Sequence, residues 1–152
     1  MKLLPGVTNL ATVANVDLAR ATDIASDAIG AFGMMTSDTT QLTKNFVRIN
    51  DVMAATMTRA NTNMEDLFES IKKGAASFTA AGQSLESFNA LAGIMANSGL
   101  KGAESGTQLR NIMLRLAAPT KSASIILDQL GIKTRDANGN FRDIVDILYD
   151  FV

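Results

Sequence analysis

The stretch MANSGLKGAESGTQLRNIMLRLAAPT, residues 95–120, decides the fold. Its first part, residues 99–106, is rich in glycine, alanine and serine. Its second part places Leu109, Ile112, Met113 and Leu116 at the three- and four-residue spacing of one helix face, and Pro119 then ends the helix. Small residues at a helix start permit close approach of a second helix. An anion site at the free N–H groups is the alternative, but no further phosphate ligand accompanies it. The stretch therefore predicts a tightly packed helix.

The same helical spacing of apolar residues extends over most of the chain. Further stripes cover residues 18–32, 42–57, 67–78, 85–95, 123–130 and 144–151. Most stripes follow a residue whose side chain can accept the free N–H groups of a first turn. These predicted caps are Asp17, Ser37 or Asp38, Ser84, Thr120 and Asp143, and Thr62 with Glu65 forms a capping box.

One segment near the end of the chain departs from the helical pattern. Asn138-Gly139 is a two-residue turn signal, because both residues tolerate a positive φ angle. The sequence therefore predicts an all-α fold: a compact multi-helix domain of packed helix-turn-helix units with one small β-hairpin near residues 132–142. Residues 1–152 form a single helical domain in this interpretation. Because the last stripe stops without a cap, we expect the chain to be an excerpt of a longer protein.

The dipeptide Ala-Asn recurs at residues 14–15, 60–61 and 96–97, each time at the end of an apolar helical stretch. The recurrence indicates repeated helix-turn-helix packing. It is equally consistent with the general preference of asparagine for helix ends, where it tolerates the left-handed conformation. The spacing is too unequal for a tandem repeat.

Composition excludes several classes of chemistry. The chain has 152 residues, 14 Lys and Arg against 15 Asp and Glu, and no Cys or His. Disulfides, thiolate zinc sites, a cysteine nucleophile and a Ser-His-Asp triad are therefore impossible. A net charge of -1 disfavours specific nucleic-acid binding, which needs a basic surplus. A hydrophobic fraction of 47% is enough for a packed core.

The remaining polar groups offer no convincing site, and we predict no catalytic, cofactor-binding or metal-binding residue. A pair of carboxylates could run a glycosidase, but most of the candidate acids fall in first turns, where the helix dipole favours them: Glu65, Asp66, Glu69, Glu86 and Glu104. The loop from Asp136 lacks the glycine and glutamate that a calcium-binding EF-hand needs. The basic residues Lys72, Lys73, Arg110 and Arg115 form no run.

Residues 95–120 resemble the core region of phage tail tape measure proteins of the TP901-like group. The Gly-Leu-Lys-Gly block from Gly99, followed by Leu-Arg and Arg-Leu-Ala, is the most specific part of the resemblance. Three further segments are similar in the same order, at residues 4–11, 17–33 and 130–142. The resemblance thus covers nearly the whole chain.

The resemblance implies a structural, non-enzymatic module of a phage or prophage tail protein. Such a protein is made in the bacterial cytoplasm, lies inside the tail tube, fixes tail length during assembly and takes part in DNA delivery. The implied partners are the tail tube protein, tail assembly chaperones and tail tip or baseplate proteins, with self-association and with membrane contact only during infection. Two alternatives stay open, a muralytic hydrolase domain and a membrane-active segment used in DNA entry.

The breaks between the predicted helices limit what this segment does in such a protein. A ruler needs one uninterrupted helix that rises about 1.5 Å per residue. Here glycine, Asn-Gly and proline interrupt the pattern repeatedly. We therefore expect a compact helical domain attached to the ruler, not the measuring segment itself.

Overall fold

The computed structural model describes residue 12 and residues 17–152. Within residues 17–152 the chain forms seven helices, which confirms the all-α prediction. They are α1 (Leu18–Ala31), α2 (Thr39–Arg59), α3 (Met64–Ala80), α4 (Leu85–Asn97), α5 (Gly102–Ala117), α6 (Lys121–Gln129) and α7 (Ile144–Tyr149). The Ala-Asn pair at residues 14–15 and the similar segment at residues 4–11 lie outside the described residues.

The helices with predicted caps begin directly after those capping residues, with one exception. Each predicted cap accepts a backbone N–H of its first turn: Asp17, Asp38, Ser84, Thr120 and Asp143. The capping box at Thr62 is wrong, because α3 begins after Asn63, whose Oδ1 accepts the N–H of Asp66 at 2.9 Å. Asn63 is already extended, so its short amide reaches the first turn without help from Thr62.

Helix α4 shows how the chain reverses. Its end is a Schellman motif, in which the N–H of Leu100 donates to the carbonyl of Met95 at 2.9 Å and that of Gly99 to Ala96 at 3.0 Å. Gly99 has a φ of 91°, a left-handed value that a side chain would strain. Asn97, which the sequence offered as the residue tolerant of this conformation, is instead the last helical residue.

Helices α1 to α5 form two layers. The helices within one layer run in the same direction. In the first layer, Arg20 and Glu65 join the starts of α1 and α3, and the Thr79 hydroxyl donates to the Ala31 carbonyl at their ends. Helix α3 is the middle helix of this layer and packs most closely against α5. Ser70 and Gly74 of α3 face Gly102 and Gly106 of α5 in the same order along both helices, so the layer α1, α3 and α5 is parallel.

The second layer contains α2 and α4, which run opposite to the first layer. Arg48 and Glu86 join the two helices near the start of α4, and the backbone N–H of Asn61 donates to Asn97 Oδ1 at 2.8 Å at their ends. The dipeptides at residues 60–61 and 96–97 thus occupy equivalent places in successive hairpins. Helix α7 packs beside α4.

The closest contact in the protein joins α3 and α5. A Cβ atom added at Gly106 would overlap the Ser70 carbonyl oxygen and lie 2.8 Å from Ser70 Cα, and one at Gly74 would lie 2.8 Å from the Gly106 carbonyl oxygen. The Ser70 hydroxyl donates to the Gly102 carbonyl at 2.7 Å across the same contact. The small residues after Gly99 therefore serve helix packing, as predicted.

The core lies between the two layers around Phe88. Its ring makes edge contacts with Phe32 and Phe78, at centroid distances of 5.7 and 5.0 Å. On α5 the buried apolar side chains are Leu109 and Met113, whereas the remaining predicted core residues of that helix, Ile112 and Leu116, are half-buried. The predicted stripes of α1 to α4 supply most of the other core residues.

The predicted β-hairpin at residues 132–142 is wrong. The segment has a single antiparallel bridge, between Arg135 and Phe141, and no strand. The Asp136 carboxylate accepts the backbone N–H groups of Asn138 and Asn140, both at 2.9 Å, and so forms a wide loop. Only two ladder bonds form, from the Asp136 N–H to the Asn140 carbonyl at 2.9 Å and from the Arg142 N–H to the Thr134 carbonyl at 3.0 Å. The Asp136 side chain takes the N–H of Asn140, and α7 begins shortly afterwards.

The two last helices bury less than their stripes predicted. Helix α6 has no buried residue, and Ile126 and Leu130 of its predicted face are 55% and 61% exposed. In α7 the predicted residues Ile144 and Ile147 are buried, but the helix ends at Tyr149, which leaves Phe151 half exposed. The apolar pattern predicted these helices but not their packing, because among the described residues no helix packs extensively against α6.

Replacing Gly106 with alanine should destabilise the protein by about 2–3 kcal/mol, because the added methyl group overlaps backbone that cannot move aside. The matched control is Gly30→Ala in α1, where nothing lies within 4 Å of the added Cβ. That variant should gain up to about 1 kcal/mol from helix propensity. Urea unfolding followed by circular dichroism measures both changes. Equal stability of the two variants would contradict the close contact.

Candidate functional site: protein-contact surfaces

Two of the five candidate acids are held by arginines from neighbouring helices. Arg20 binds Glu65 through two bonds of 2.8 and 2.6 Å, and Arg48 binds Glu86 through two bonds of 2.6 and 2.5 Å. These bonds lower the pKa of both glutamates below its usual value. A general acid needs a raised pKa, so this arrangement favours structural pairing of parallel helices over catalysis.

The other candidate acids have different surroundings. Glu69 pairs with Lys72 of its own helix at 2.7 Å, Asp66 accepts from the Asn63 amide, and Glu104 is exposed on α5. Within the described residues no group of acids is arranged to hold a metal ion. The geometry therefore lends no support to an acid pair acting on a glycan.

The basic residues singled out in the sequence lie on α3 and α5. Lys72 lies 5.1 Å from the centre of the Phe68 ring, and Arg20 contacts the same ring at 5.1 Å. Lys73 packs beside Gly106, and Arg110 and Arg115 are exposed on α5. Lys72 thus stabilises a packed ring, and the others are solvated.

The loop at Asp136 uses its carboxylate internally. Bonds from the backbone N–H groups of Asn140 and Asn138 lower the pKa of Asp136. Arg135 fastens the loop to the body, donating to the carbonyls of Gly139 at 2.9 Å and Ala117 at 3.2 Å. The loop therefore fixes the chain after α5, and its carboxylate is occupied by the loop's own N–H groups.

Gln83 and Ser87 attach the last helix to the body. Gln83 is 8% exposed, accepts the N–H of Ile144 at 2.7 Å and donates to the carbonyl of Arg142 at 3.1 Å. The Ser87 hydroxyl donates to Asp143 at 2.6 Å. Neither residue is predicted from the sequence. The one signal for their role is that polar side chains stand at the start of a strongly apolar helix.

Two apolar surfaces remain open. A groove of about 380 Å³ runs between α2 and α4, with Val52, Ala55, Ala90 and Gly93 in its lining. The outer side of α6 presents Ile125 and Ile126, which are 51% and 55% exposed. Contiguous apolar surface of this kind is typical of protein contacts.

Replacing Gln83 with alanine should loosen the last helix, because the N–H of Ile144 and the carbonyl of Arg142 then lose their partner. We expect a cost of about 1–3 kcal/mol. Hydrogen exchange of the α7 amides should become faster, while exchange in α3 and α5 changes less. The control is Gln108→Ala on the exposed face of α5. Unchanged protection of α7 would contradict the role of Gln83.

Acid should weaken the two interhelical pairs. Because the folded-state pKa of Glu65 and Glu86 is lowered, their contribution to stability is full above the ordinary glutamate value of about 4.5 and is lost as the pH falls below it. The double variant Glu65→Gln, Glu86→Gln should therefore lose less stability than the natural chain between pH 5 and 3 (about the range set by these groups). Parallel unfolding curves for both proteins at each pH would show the pairs to be without effect.

Two phage tail proteins are similar in sequence to this chain. No helix in the described part of the chain is long and apolar enough to span a membrane. The tape measure protein of Pneumococcus phage Dp-1 is 36% identical over 140 residues, which are 92% of this chain and 12% of that protein. The probable tape measure protein of Escherichia phage P2 is 32% identical over 135 residues, 88% of this chain and 16% of that protein.

The chain thus spans less than a fifth of the length of these relatives. No solved structure matches it. The family model described as phage-related minor tail protein matches residues 1–152, and with these relatives it confirms the resemblance to tape measure proteins. The chain belongs to the family of phage-related minor tail proteins.

Proposed function

We propose that this chain is a folded, non-catalytic module of a phage tail tape measure protein that acts through contacts with other proteins. The observation that carries the proposal is the combination of family membership with two open apolar surfaces, the α2–α4 groove and the outer side of α6. The module is a single helical domain within a longer chain. Through it the protein contributes to tail assembly, tail-length determination and DNA delivery.

The module does not itself measure length. Residues 17–152 form seven helices separated by turns, which give a layered domain, whereas a measuring segment gains its length from one continuous helix. The α3–α5 contact also opposes extension of the chain, because it buries backbone atoms of both helices against each other. The measuring role then falls to other parts of the tape measure protein.

The partners of the module follow from its place in the tail. We propose the tail tube protein, tail assembly chaperones and tail tip or baseplate proteins as partners, and the interior of the tail tube as its location. The open apolar surfaces would serve these contacts, since apolar groups exposed in one state are buried when a partner binds.

The two alternative functions receive less support. A muralytic hydrolase would need an acid with a raised pKa facing a second carboxylate, whereas Glu65 and Glu86 are both bound by arginines. A membrane-active segment would need its apolar helix faces free, whereas those of α1 to α5 are packed in the core.

Deletion of this segment from the tail gene of a phage that carries it tests the proposal. We expect tail assembly to fail, or the remaining tails to keep their length, because the segment is a contact module. Electron microscopy measures both outcomes. Tails shortened by about 230 Å, the rise of 152 helical residues at roughly 1.5 Å each, would show instead that the segment is part of the ruler.

A point variant separates folding from mere presence of the segment. Gly106→Val in the whole tail protein should reduce infectious particles at least tenfold (an order-of-magnitude estimate from the cost of overpacking). Gly30→Ala should leave the titre unchanged. Normal tails with the Gly106 variant, at normal protein levels, would contradict the need for a folded module.

A further inference from the structure

The Asn138-Gly139 pair has a chemical reactivity that the packing of the helices does not use. It is the one Asn-Gly pair in the sequence. Both residues are exposed and lie in the loop between α6 and α7. An asparagine side chain that precedes glycine is open to attack by the backbone nitrogen of that glycine, because glycine has no side chain to block the approach and its backbone turns freely. The pair is therefore a candidate for modification without an enzyme.

The structure leaves the Asn138 side chain free for this attack. Among the described residues its amide forms no hydrogen bond, although its backbone N–H donates to Asp136 Oδ1 at 2.9 Å. The Gly139 N–H is held by one bond, to the Asp136 carbonyl at 3.1 Å. No atom beyond the flanking residues lies within 4 Å of a Cβ built at Gly139. Rotation at Asn138 therefore brings its side-chain carbon to the Gly139 nitrogen without displacing a packed side chain.

The other asparagines of the described chain have different surroundings. Asn61 and Asn63 use their side-chain oxygens as hydrogen-bond acceptors. Asn140, in the same loop, precedes Phe141, whose bulky side chain hinders the attack. The rest lie inside helices, where the helical hydrogen bonds hold the following N–H groups: Asn45, Asn50, Asn89, Asn97 and Asn111. Asn138 thus differs from all of them in its neighbour, its exposure and its unbonded amide.

We propose that Asn138 deamidates spontaneously and that its isoaspartate form frees the loop from the end of α5. The Gly139 nitrogen loses its proton and attacks the side-chain carbonyl carbon of Asn138. The bond from this carbon to the amide nitrogen breaks, ammonia leaves with that proton, and a succinimide ring remains. Water then opens the ring at either carbonyl and gives aspartate or isoaspartate. The proposal is independent of the role in tail assembly.

The isoaspartate form changes the path of the chain where the loop is held together. Its main chain runs through the former side chain and is longer by one carbon. The Asn140 N–H donates to the Asp136 carboxylate at 2.9 Å. Arg135 donates to the carbonyls of Gly139 at 2.9 Å and Ala117 at 3.2 Å, and so ties the loop to the end of α5. A longer main chain separates these partners, so the last turn of α5 loses its link to the loop.

Peptide mapping by mass spectrometry tests the modification. This chain is incubated in mildly alkaline buffer and sampled over several weeks. We expect Asn138 to convert at least about tenfold faster than Asn140, the matched control in the same loop. A synthetic peptide of residues 135–142, incubated in parallel, shows the reaction without the fold. Conversion of the peptide but not of the folded chain, or equal rates at Asn138 and Asn140, would overturn the proposal.

Hydrogen exchange tests the effect on the loop. The isoaspartate form is separated from the unmodified chain by chromatography, and we expect its Asn140 and Ala118 amides to exchange at least about tenfold faster. The variant Asn138→Asp reproduces the aspartate product without the longer main chain and should change little. Incubated Asn138→Gln, which closes a ring much more slowly, controls for other effects of ageing. Unchanged exchange in the isoaspartate form, or an equal change in Asn138→Asp, would refute release by the longer chain.

Discussion

The structure depends on one contact, in which the backbones of α3 and α5 touch at Gly74 and Gly106. No side chain separates the two helices there, because a Cβ at Gly106 would overlap the Ser70 carbonyl. The Ser70 hydroxyl also binds the Gly102 carbonyl, at a helix start where the N-cap residue Lys101 supplies no side-chain bond. Close approach then brings Phe78, Leu109 and Met113 into one buried cluster, which supplies the apolar burial that stabilises the fold.

Polar side chains fix how the other helices align with this pair. Arg20 and Glu65 set the start of α1 against α3, and Arg48 and Glu86 do the same for α2 and α4. All four side chains are between 39% and 49% exposed, so solvent screens each pair and its contribution to stability is small. The stability therefore comes from the core, and the arginine pairs select the parallel arrangement among the ways in which the helices could pack.

The sequence predicted local features well and long-range features poorly, for a physical reason. Caps such as Asp17 and Ser84 and the end of α5 before Pro119 depend on neighbours along the chain. The small residues near Gly106 predicted close packing, but they did not indicate that α3 is the partner. The pairing of Arg48 with Glu86 and of Gln83 with Ile144 joins residues from different elements, which periodicity does not encode. The Asn-Gly signal at residues 138–139 indicated a turn correctly, but Asp136 decides its form through its own bonds. Helix α6 has the predicted apolar stripe, yet none of its residues is buried.

The two layers differ in how well their polar groups are satisfied. Asn50 of α2 is 2% exposed, and neither its amide nitrogen nor its amide oxygen has a hydrogen-bond partner among the described residues. The buried amide oxygen of Asn89 in α4 likewise has no hydrogen-bond partner among the described residues. An unsatisfied buried group costs about 1–3 kcal/mol, so these amides lower the stability of the α2–α4 layer. The groove lies in this same layer. A partner that binds the folded domain there therefore stabilises the layer that contains these amides.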